Sequence, residues 1–519
     1  MPRYLIASRL TAAAEPEQSG PSVRGGFVSD ALFTGTPKFA AASFNRLVVD
    51  EATGPSEKTP GETEIVELDA DEAAARRMAA PPGVIVEEEK PRWHGLLHPM
   101  AELAVTNNAV SPGMGAAVEL AVRLNGQPIE DAVVTMSLLS IRGGIGTTST
   151  AATGADGKAA VLYDPFMWLP FTMTVTPRSR AWAGYAQVTS ARMTISLLAL
   201  PRSGPLGWWH NALGLTRYSP DLGSGIKVGV IDTGIGPHPY LDHAVRAGAV
   251  VNGEFTAGDK ATEDVAEHGT HVAGIIGARP TDAKDYAGIA PAADLMALRV
   301  YPGGGPLGAE SGYANNGDIS DAMVRLSQAG CDLINLSSGG LLRSELESDR
   351  IVAAFNRGTL VICSAGNGSG PPVLFPAADP SVIGVSAMGL INTTPRAALD
   401  IFSMPMSLDR YTMMGAYLAA FSSFGPEIKC IGPGVGIVST VPTKTGAPPA
   451  YLAASGTSMA APIITGTLAA LLSRDSTYKA LPRTREKALW AANVLARTCR
   501  SLGLFFPYQG YGMPTILGG

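Results

Sequence analysis

The chain has 519 residues, of which 46% are hydrophobic and 16% charged, and this composition excludes a wholly disordered protein because it supplies enough apolar surface for a large core. Its 39 Lys and Arg against 45 Asp and Glu give a formal net charge of −6. That balance argues against nucleic acid as a main partner, because phosphate binding needs a basic face. At roughly 150 residues per domain, the length predicts several domains.

Neither a signal peptide nor a membrane span is predicted. The first residues contain no apolar core of signal-peptide length before Glu15, and the longest apolar stretch, Ala461–Leu472, is too short to cross a bilayer. Four cysteines lack zinc or CxxC spacing, which favours buried thiols over disulfides: Cys331, Cys363, Cys430 and Cys499. We therefore expect a cytoplasmic protein, with leaderless export left open.

Residues 1–95 are predicted to form a small α+β domain. Tyr4–Ala7 and Thr63–Leu68 have the pattern of strands. Asp69 is a candidate cap for a helix over Ala70–Ala80, and a Pro-Pro-Gly turn ends that helix before a further strand, Val84–Glu88. Such a unit is too small to be an enzyme by itself.

Residues 100–200 are predicted to form an all-β module. The run Ala117–Leu124 is followed by the turn dipeptide Asn125-Gly126, and further strands are expected over Thr172–Thr176 and Gln187–Leu200. The pattern favours a small sandwich and resembles the immunoglobulin-like accessory modules that accompany many enzymes. No ligand is indicated, so we expect a spacer or docking module.

Residues 204–519 alternate short apolar strands with helical patterns, which predicts an α/β domain with helices covering a parallel sheet. The predicted strands are Ile226–Ile231, Leu295–Val300, Leu333–Leu336, Leu360–Cys363 and Val382–Val385. In such sheets the chemistry lies at the carboxyl ends of the strands.

Three segments with reactive side chains follow at such positions. Asp232 ends the first strand, His268 and His271 open a glycine-rich helix, and Ser458 opens a long helix of small residues. Each has an ordinary explanation when taken alone: a cap, a metal-binding or buried histidine pair, and an N-cap. For His271 we favour a buried histidine that forms local hydrogen bonds. The three segments together, each with distinctive wording, argue for a catalytic set.

The segments DTG, HGTHVAG and GTSMAAP resemble the three signatures of the subtilisin-like serine peptidases, the subtilases, over residues 204–502. The resemblance implies that Ser458 attacks the scissile carbonyl, that His268 transfers the proton, and that Asp232 orients the imidazole. It also implies an oxyanion donor at Asn367, within VICSAGNG, acting with the Ser458 backbone N–H.

The same resemblance implies two walls of a substrate pocket. One wall is a strand that pairs with an extended peptide, and the other follows a neighbouring strand. A bulky residue at the pocket base would favour small or medium side chains. The implied substrate-binding residues are Ser337, Ser338, Gly339, Ser364, Ala365, Gly366 and Leu374.

No cofactor is required for this chemistry. Relatives often read HPDL after the first motif, where the aspartate helps to bind a structural calcium, but Tyr240 occupies that place here. A structural calcium is therefore in doubt. Asp242, Asp282 and Asp285 could supply oxygen ligands, although solvated loop carboxylates are the preferred interpretation.

Residues Asp69–Glu89 resemble the helix, turn and last strand of subtilase propeptides, which chaperone and inhibit their enzymes. The expected protein is thus a serine endopeptidase made as a zymogen. Its expected partners are a protein or peptide substrate and its own N-terminal domain as inhibitor, with neither nucleic acid nor membrane. The alternative is a permanently latent binding or scaffold protein built on a peptidase fold.

Overall fold

The computed structural model describes residues 2–10, 63–81, 83–94, 115–143, 146–178, 180–303 and 313–516. Residues 11–62 of the predicted first domain lie outside these ranges, as does the predicted connection between the first two domains. Within the described ranges, no helix is long and apolar enough to cross a membrane.

The N-terminal unit is a three-stranded antiparallel sheet with one helix, in the strand order β2-β1-β3. The Asp69 carboxylate accepts a hydrogen bond from the Glu72 backbone N–H at 2.8 Å, and the predicted cap is thereby confirmed. Leu5 and Ile85 pack on Leu346, which lies far along the chain. The elements are β1 (Arg3–Ser8), β2 (Glu64–Glu67), α1 (Ala70–Ala79), β3 (Val84–Glu88) and β4 (Pro91–His94).

The second unit is all-β, with two four-stranded sheets around a shared apolar core. Asn125 and Gly126 have φ values of +52° and +80°, as the predicted two-residue hairpin turn requires. Its strands are β5 (Ala116–Leu124), β6 (Gln127–Pro128), β7 (Val133–Ser140), β8 (Thr147–Ala152), β9 (Lys158–Tyr163), β10 (Trp168–Thr176), β11 (Gly184–Gln187) and β12 (Arg192–Leu197).

The prediction of a single strand over Gln187–Leu200 is wrong, because β11 ends at Gln187 and a separate strand, β12, follows. The chain leaves the sheet of β10 after β11 and joins the other sheet as β12, beside β5. Residues from both strands pack on the one apolar core, so the residue pattern does not mark the crossing between sheets.

The third unit has a mixed, mainly parallel sheet of nine strands in the described part of the chain, which confirms the predicted α/β class. The strand order is β15-β14-β16-β13-β18-β20-β21, and β22 and β23 both pair with β21. The strands of this unit are β13 (Lys227–Asp232), β14 (Val245–Val251), β15 (Glu254–Ala257), β16 (Asp294–Arg299), β17 (Ala314–Asn315), β18 (Leu333–Leu336), β19 (Ser338–Gly339), β20 (Leu360–Ser364), β21 (Ile383–Leu390), β22 (Ala416–Leu418), β23 (Cys430–Pro433), β24 (Ile437–Thr440), β25 (Tyr451–Ala454), β26 (Cys499–Arg500) and β27 (Met513–Pro514).

Helices cover both faces of this sheet. The neighbouring residues Val230 and Ile231 of β13 belong to separate apolar clusters, one on each face. The helices are α2 (Trp208–Ala212), α3 (His268–Gly277), α4 (Asn316–Gln328), α5 (Glu345–Asn356), α6 (Thr457–Leu472), α7 (Ser476–Ala480), α8 (Arg485–Thr498) and α9 (Phe506–Gln509), with short 3₁₀ turns at Pro239–Leu241, Leu399–Ser403 and Leu408–Arg410. Helix α3, which begins at His268, packs against α6, which carries Ser458 as its second residue.

Candidate active site

Asp232 and His268 are in contact at the carboxyl end of the central strand β13. His268 Nδ1 lies 2.6 Å from Asp232 Oδ1, and both side chains are almost fully buried. The Thr233 backbone N–H donates to the same carboxylate oxygen at 2.7 Å. Because a carboxylate only accepts hydrogen bonds, the contact places the imidazole proton on Nδ1 and leaves Nε2 as the basic nitrogen.

A second carboxylate, Asp264, supports this pair and was missed by the sequence analysis. It accepts hydrogen bonds from Thr233 Oγ1 at 2.7 Å and from the Thr270 backbone N–H at 2.8 Å. Thr233 Oγ1 accepts in turn from the Gly269 backbone N–H at 2.8 Å. Asp264 therefore ties the end of β13 to the first turn of α3, although nothing in its sequence context distinguishes it from an exposed loop aspartate.

Gly269 permits the close approach of these two elements. A Cβ at this position would lie 2.1 Å from the Gly234 carbonyl oxygen and 3.1 Å from Asp232 Cβ. Any larger residue would push α3, and His268 with it, away from the strand.

Ser458 is the second residue of α6 and is buried. Its Oγ donates to the Ser337 carbonyl oxygen at 3.3 Å, and Ser337 Oγ donates back to the Ser458 carbonyl oxygen at 3.0 Å. His268 Nε2 is buried and has no hydrogen-bond partner among the described residues. The structure thus forms the Asp–His contact but not the Ser–His one, and the latter requires the Ser458 hydroxyl to turn from Ser337. Such contacts are often formed only with substrate bound.

Asn367 is hydrogen-bonded to Thr457, the residue that precedes Ser458. Its Oδ1 accepts from both the backbone N–H and Oγ1 of Thr457, each at 2.9 Å. Two donors on the carbonyl oxygen fix the amide in one orientation. Thr457 is a second residue that the sequence analysis did not single out.

The two predicted walls of the pocket lie on either side of Leu374. A Cβ on Gly366 would come within 2.5 Å of Leu374 Cγ, and one on Gly339 would lie 3.1 Å from Leu374 Cβ. Ser364 is the last residue of β20, and Ala365 is buried next to it. The structure therefore places Gly339 and Gly366, one from each predicted wall, against the Leu374 side chain.

The strand β4 from the N-terminal unit occupies the cleft beside these residues. It pairs antiparallel with β19, with His94 opposite Ser338 and Trp93 opposite Gly339. On its other edge it pairs antiparallel with β17. An extended peptide held between two strands by backbone pairing is a common mode of peptide recognition.

His94 brings this strand onto the Asp–His pair. Its ring centroid lies 5.0 Å from that of His268 and 4.7 Å from that of Tyr301. Desolvation of the ring, together with a smaller contribution from the neighbouring His268, lowers the pKa of His94 to about 3. His94 is therefore neutral in the cleft.

His271 is buried, as the sequence analysis favoured, but its hydrogen bonds are not the local ones that were expected. Its Nε2 lies 3.1 Å from the carbonyl oxygens of both Ile437 and Leu452, so these bonds reach distant strands rather than local groups. Burial lowers its pKa to about 4. It helps to anchor α3 on the β24–β25 hairpin.

Asp282 and Asp285, two of the three carboxylates considered for calcium, have protein partners. Arg202 pairs with Asp282 at 2.6 Å and with Asp285 at 3.1 Å, and the Tyr240 hydroxyl donates to Asp285 at 2.9 Å. These residues therefore do not fit a calcium site, because a guanidinium and a hydroxyl hydrogen occupy the oxygens that a cation would need. Three of the cysteine thiols are buried as predicted, whereas Cys499 is partly exposed.

Comparison with known proteins identifies the family to which the third unit is similar. A model of the subtilase family matches residues 223–512, more than half of the chain. Thermophilic serine proteinase from Bacillus sp. (strain AK1) is 35% identical over 262 residues, which cover 50% of this chain and 55% of that protein. Subtilisin Savinase from Lederbergia lenta is 31% identical over 281 residues, which cover 54% of this chain and 86% of that protein. Among solved structures, Sphericase matches with a TM-score of 0.49 and 24% identity over 60% of this chain and 99% of that chain.

The parallel sheet and the family match define the third unit as a serine peptidase domain of the subtilisin-like class. The chain belongs to the subtilase family.

Proposed function

We propose that this protein is a serine endopeptidase that hydrolyses peptide bonds of proteins or peptides through Ser458, His268 and Asp232. Ser458 Oγ forms a bond to the scissile carbonyl carbon while His268 Nε2 takes its proton. That proton then passes to the leaving amine as the peptide bond breaks, and water releases the acyl group by the same steps in reverse. The 2.6 Å contact between Asp232 and His268 supports this assignment most directly.

The oxyanion of the tetrahedral intermediate would be bound by the Asn367 side-chain amide and the Ser458 backbone N–H. The two hydrogen bonds from Thr457 to Asn367 Oδ1 support this role, because they hold the amide in place before the charge develops. None of these steps calls for a metal or an organic cofactor.

The peptidase is held latent by its own N-terminal unit. The observation that carries this proposal is β4, which runs between β17 and β19 and places His94 against His268. A substrate would have to take the same edge of β19. The N-terminal unit is therefore proposed as an intramolecular partner and competitive inhibitor.

Glu87, four residues before β4 begins, supports the same proposal. Its carboxylate accepts from Asn316 Nδ2 at 2.9 Å, from the Glu345 backbone N–H at 2.9 Å, and from Ser344 Oγ. These donors lie at the amino ends of α4 and α5, where helix dipoles favour a negative charge. The inhibitory unit is thus anchored on two helices of the peptidase domain.

A permanently latent binding protein is the second candidate. The observation that favours it is the Ser458 hydroxyl, which donates to Ser337 rather than to His268 while β4 fills the cleft. In that case the N-terminal unit would never be released, and the triad would have no access to substrate.

Intact-mass analysis of wild type and Ser458→Ala, each with and without a fluorophosphonate probe, distinguishes the two candidates. A working peptidase predicts labelling of wild type alone and a truncated product that is missing from the variant. The product mass would locate the cut. Wild type that does not process itself, and that stays unlabelled even after limited proteolysis removes the N-terminal unit, would contradict the peptidase assignment.

A further inference from the structure

Glu347, on α5, forms a buried site for a guanidinium group at the edge of the substrate cleft. Arg92 of β4 is fully buried, and its side chain pairs with Glu347, which is 2% exposed. Arg92 Nε donates to Glu347 Oε1 at 3.0 Å, and Arg92 Nη2 donates to Glu347 Oε2 at 2.6 Å. This two-point contact matches the planar fork of arginine and is poorly matched by lysine.

The surroundings of the pair complete the site. Arg92 Nη2 also donates to the Leu342 carbonyl oxygen at 3.0 Å. A Cβ on Gly340 would lie 2.8 Å from the second guanidinium nitrogen, so a glycine is needed there to admit the side chain. Ser344 Oγ caps the Glu347 backbone N–H at 3.0 Å and fixes the start of the helix that carries the carboxylate.

Side chains of β4 alternate between the enzyme and solvent. Arg92 is fully buried and His94 faces His268, whereas Trp93 between them is 49% exposed. The cleft therefore discriminates strongly among side chains at the position of Arg92 and only weakly at the position of Trp93.

Departure of β4 leaves Glu347 without its cation. An unpaired buried carboxylate is strongly unfavourable, and a neutral substrate side chain cannot replace the lost pair. Burial raises the pKa of Glu347, and the Arg92 guanidinium opposes that rise. A substrate that carries arginine at the position of Arg92 would restore both hydrogen bonds.

We propose that Glu347 is a specificity-determining residue that selects substrates with arginine two positions before the residue that contacts His268. This inference rests on the proposed function, because it takes β4 as a guide to the path of substrate. It adds a substrate class: extended peptides with an arginine before the site of attack, where the arginine becomes buried against Glu347 on binding.

The test uses the active wild-type enzyme and internally quenched peptides copied from residues 87–100, with Arg, Lys, Gln or Leu at the position of Arg92. Wild type is expected to cleave the Arg peptide with a kcat/KM about 10-fold to 100-fold above the Gln and Leu peptides. Replacing the Trp93 position by Ala in the Arg peptide should change kcat/KM by only about 2-fold.

Glu347→Gln is expected to abolish the preference for arginine, whereas Glu345→Gln, an exposed neighbour on the same helix, should retain it. Fluorophosphonate labelling and thermal melting report whether each variant is folded. If Glu347→Gln does not fold, the wild-type peptide series still decides the matter. Equal kcat/KM for Arg and Leu peptides, or an arginine preference that persists in Glu347→Gln, would overturn the inference. Failure of wild type to cleave any peptide would instead contradict the proposed function.

Discussion

The imidazole ring of His94, from the N-terminal unit, lies 5.0 Å from the imidazole ring of His268 in the peptidase domain. The contact joins residues 174 positions apart and places the end of β4 directly over the proposed general base. His94 is therefore a titratable group in the occupied cleft, and its protonation is coupled to the docking of β4.

Docking of β4 is therefore expected to weaken as the pH falls. The pKa of His94 is about 3 in the cleft, against about 6.5 for a free histidine, so the released strand binds more protons between these values. Protonation thus favours release below about pH 6.5, and the docking equilibrium should fall about 10-fold from pH 7.5 to pH 5.5. Amide hydrogen exchange at 91–94 in Ser458→Ala, corrected for intrinsic rates, measures this change.

The matched control is His94→Phe, which keeps a ring over His268 and cannot titrate. Any dependence on pH that remains in the control comes from groups other than His94, among them Glu347, which pairs with Arg92 of the same strand. Equal slopes for the two proteins would show that His94 is not the responsible group.

Removal of the Glu87 anchor should open the cleft. Glu87→Ala leaves the Asn316 amide, the Ser344 hydroxyl and the Glu345 N–H without their shared acceptor. We expect fluorophosphonate labelling of Ser458 to accelerate about 10-fold to 100-fold, provided that release of β4 limits the rate. Glu88→Ala is the control, since Glu88 is exposed. Labelling of Glu87→Ala at the wild-type rate would argue against this anchor.

Asn367→Ala should lower kcat with little effect on KM, because the lost donor acts on the oxyanion and not on bound substrate. In a related serine peptidase, loss of such a donor costs about 10²–10³ in turnover. Thr457→Val removes only one of the two hydrogen bonds that orient the amide, so a smaller loss of about 3-fold to 10-fold is expected. Steady-state kinetics on one peptide compare the two. A larger loss in Thr457→Val than in Asn367→Ala would reverse the proposed roles.

The sequence pattern singled out Asp232, His268 and Ser458 because each lies in a short segment with its own wording. Asp264 and the pair of Arg92 with Glu347 could not be predicted in this way. Arg92 and Glu347 are 255 residues apart and meet only because β4 reaches the cleft of a distant domain. Backbone pairing brings them together, and no local pattern of residues encodes that pairing.

The same limit applies to conformation. The apolar runs indicated the parallel strands, since burial on both faces leaves a clear mark in the residues. The crossing of the chain between β11 and β12 left no such mark, because both strands face one shared core. The turn of the Ser458 hydroxyl toward Ser337 depends on a rotamer, which residue identity does not determine.

Trp182 joins the β module to the peptidase domain and should be important for stability. Its side chain is 4% exposed and belongs to the main apolar cluster of the peptidase domain, with its ring against Gly436. Trp182→Ala should lower the free energy of unfolding by about 3–5 kcal/mol through the cavity it leaves. Leu169→Ala, at a position 58% exposed, should change it by less than about 0.5 kcal/mol.

Denaturant unfolding of both variants in the Ser458→Ala background avoids self-digestion. If Trp182→Ala destabilises only a separate unfolding transition of the β module, then Trp182 does not contribute to the stability of the peptidase domain, which would contradict this prediction.

The most direct test of the central claim is the hydrolysis rate of one peptide by Ser458→Ala, His268→Ala and the double variant. Residues that act as one catalytic unit give grossly non-additive losses, because removal of either member already abolishes the shared step. The account predicts that the double variant retains the same residual kcat as Ser458→Ala alone. Losses that multiply in the double variant would contradict a joint role for Ser458 and His268.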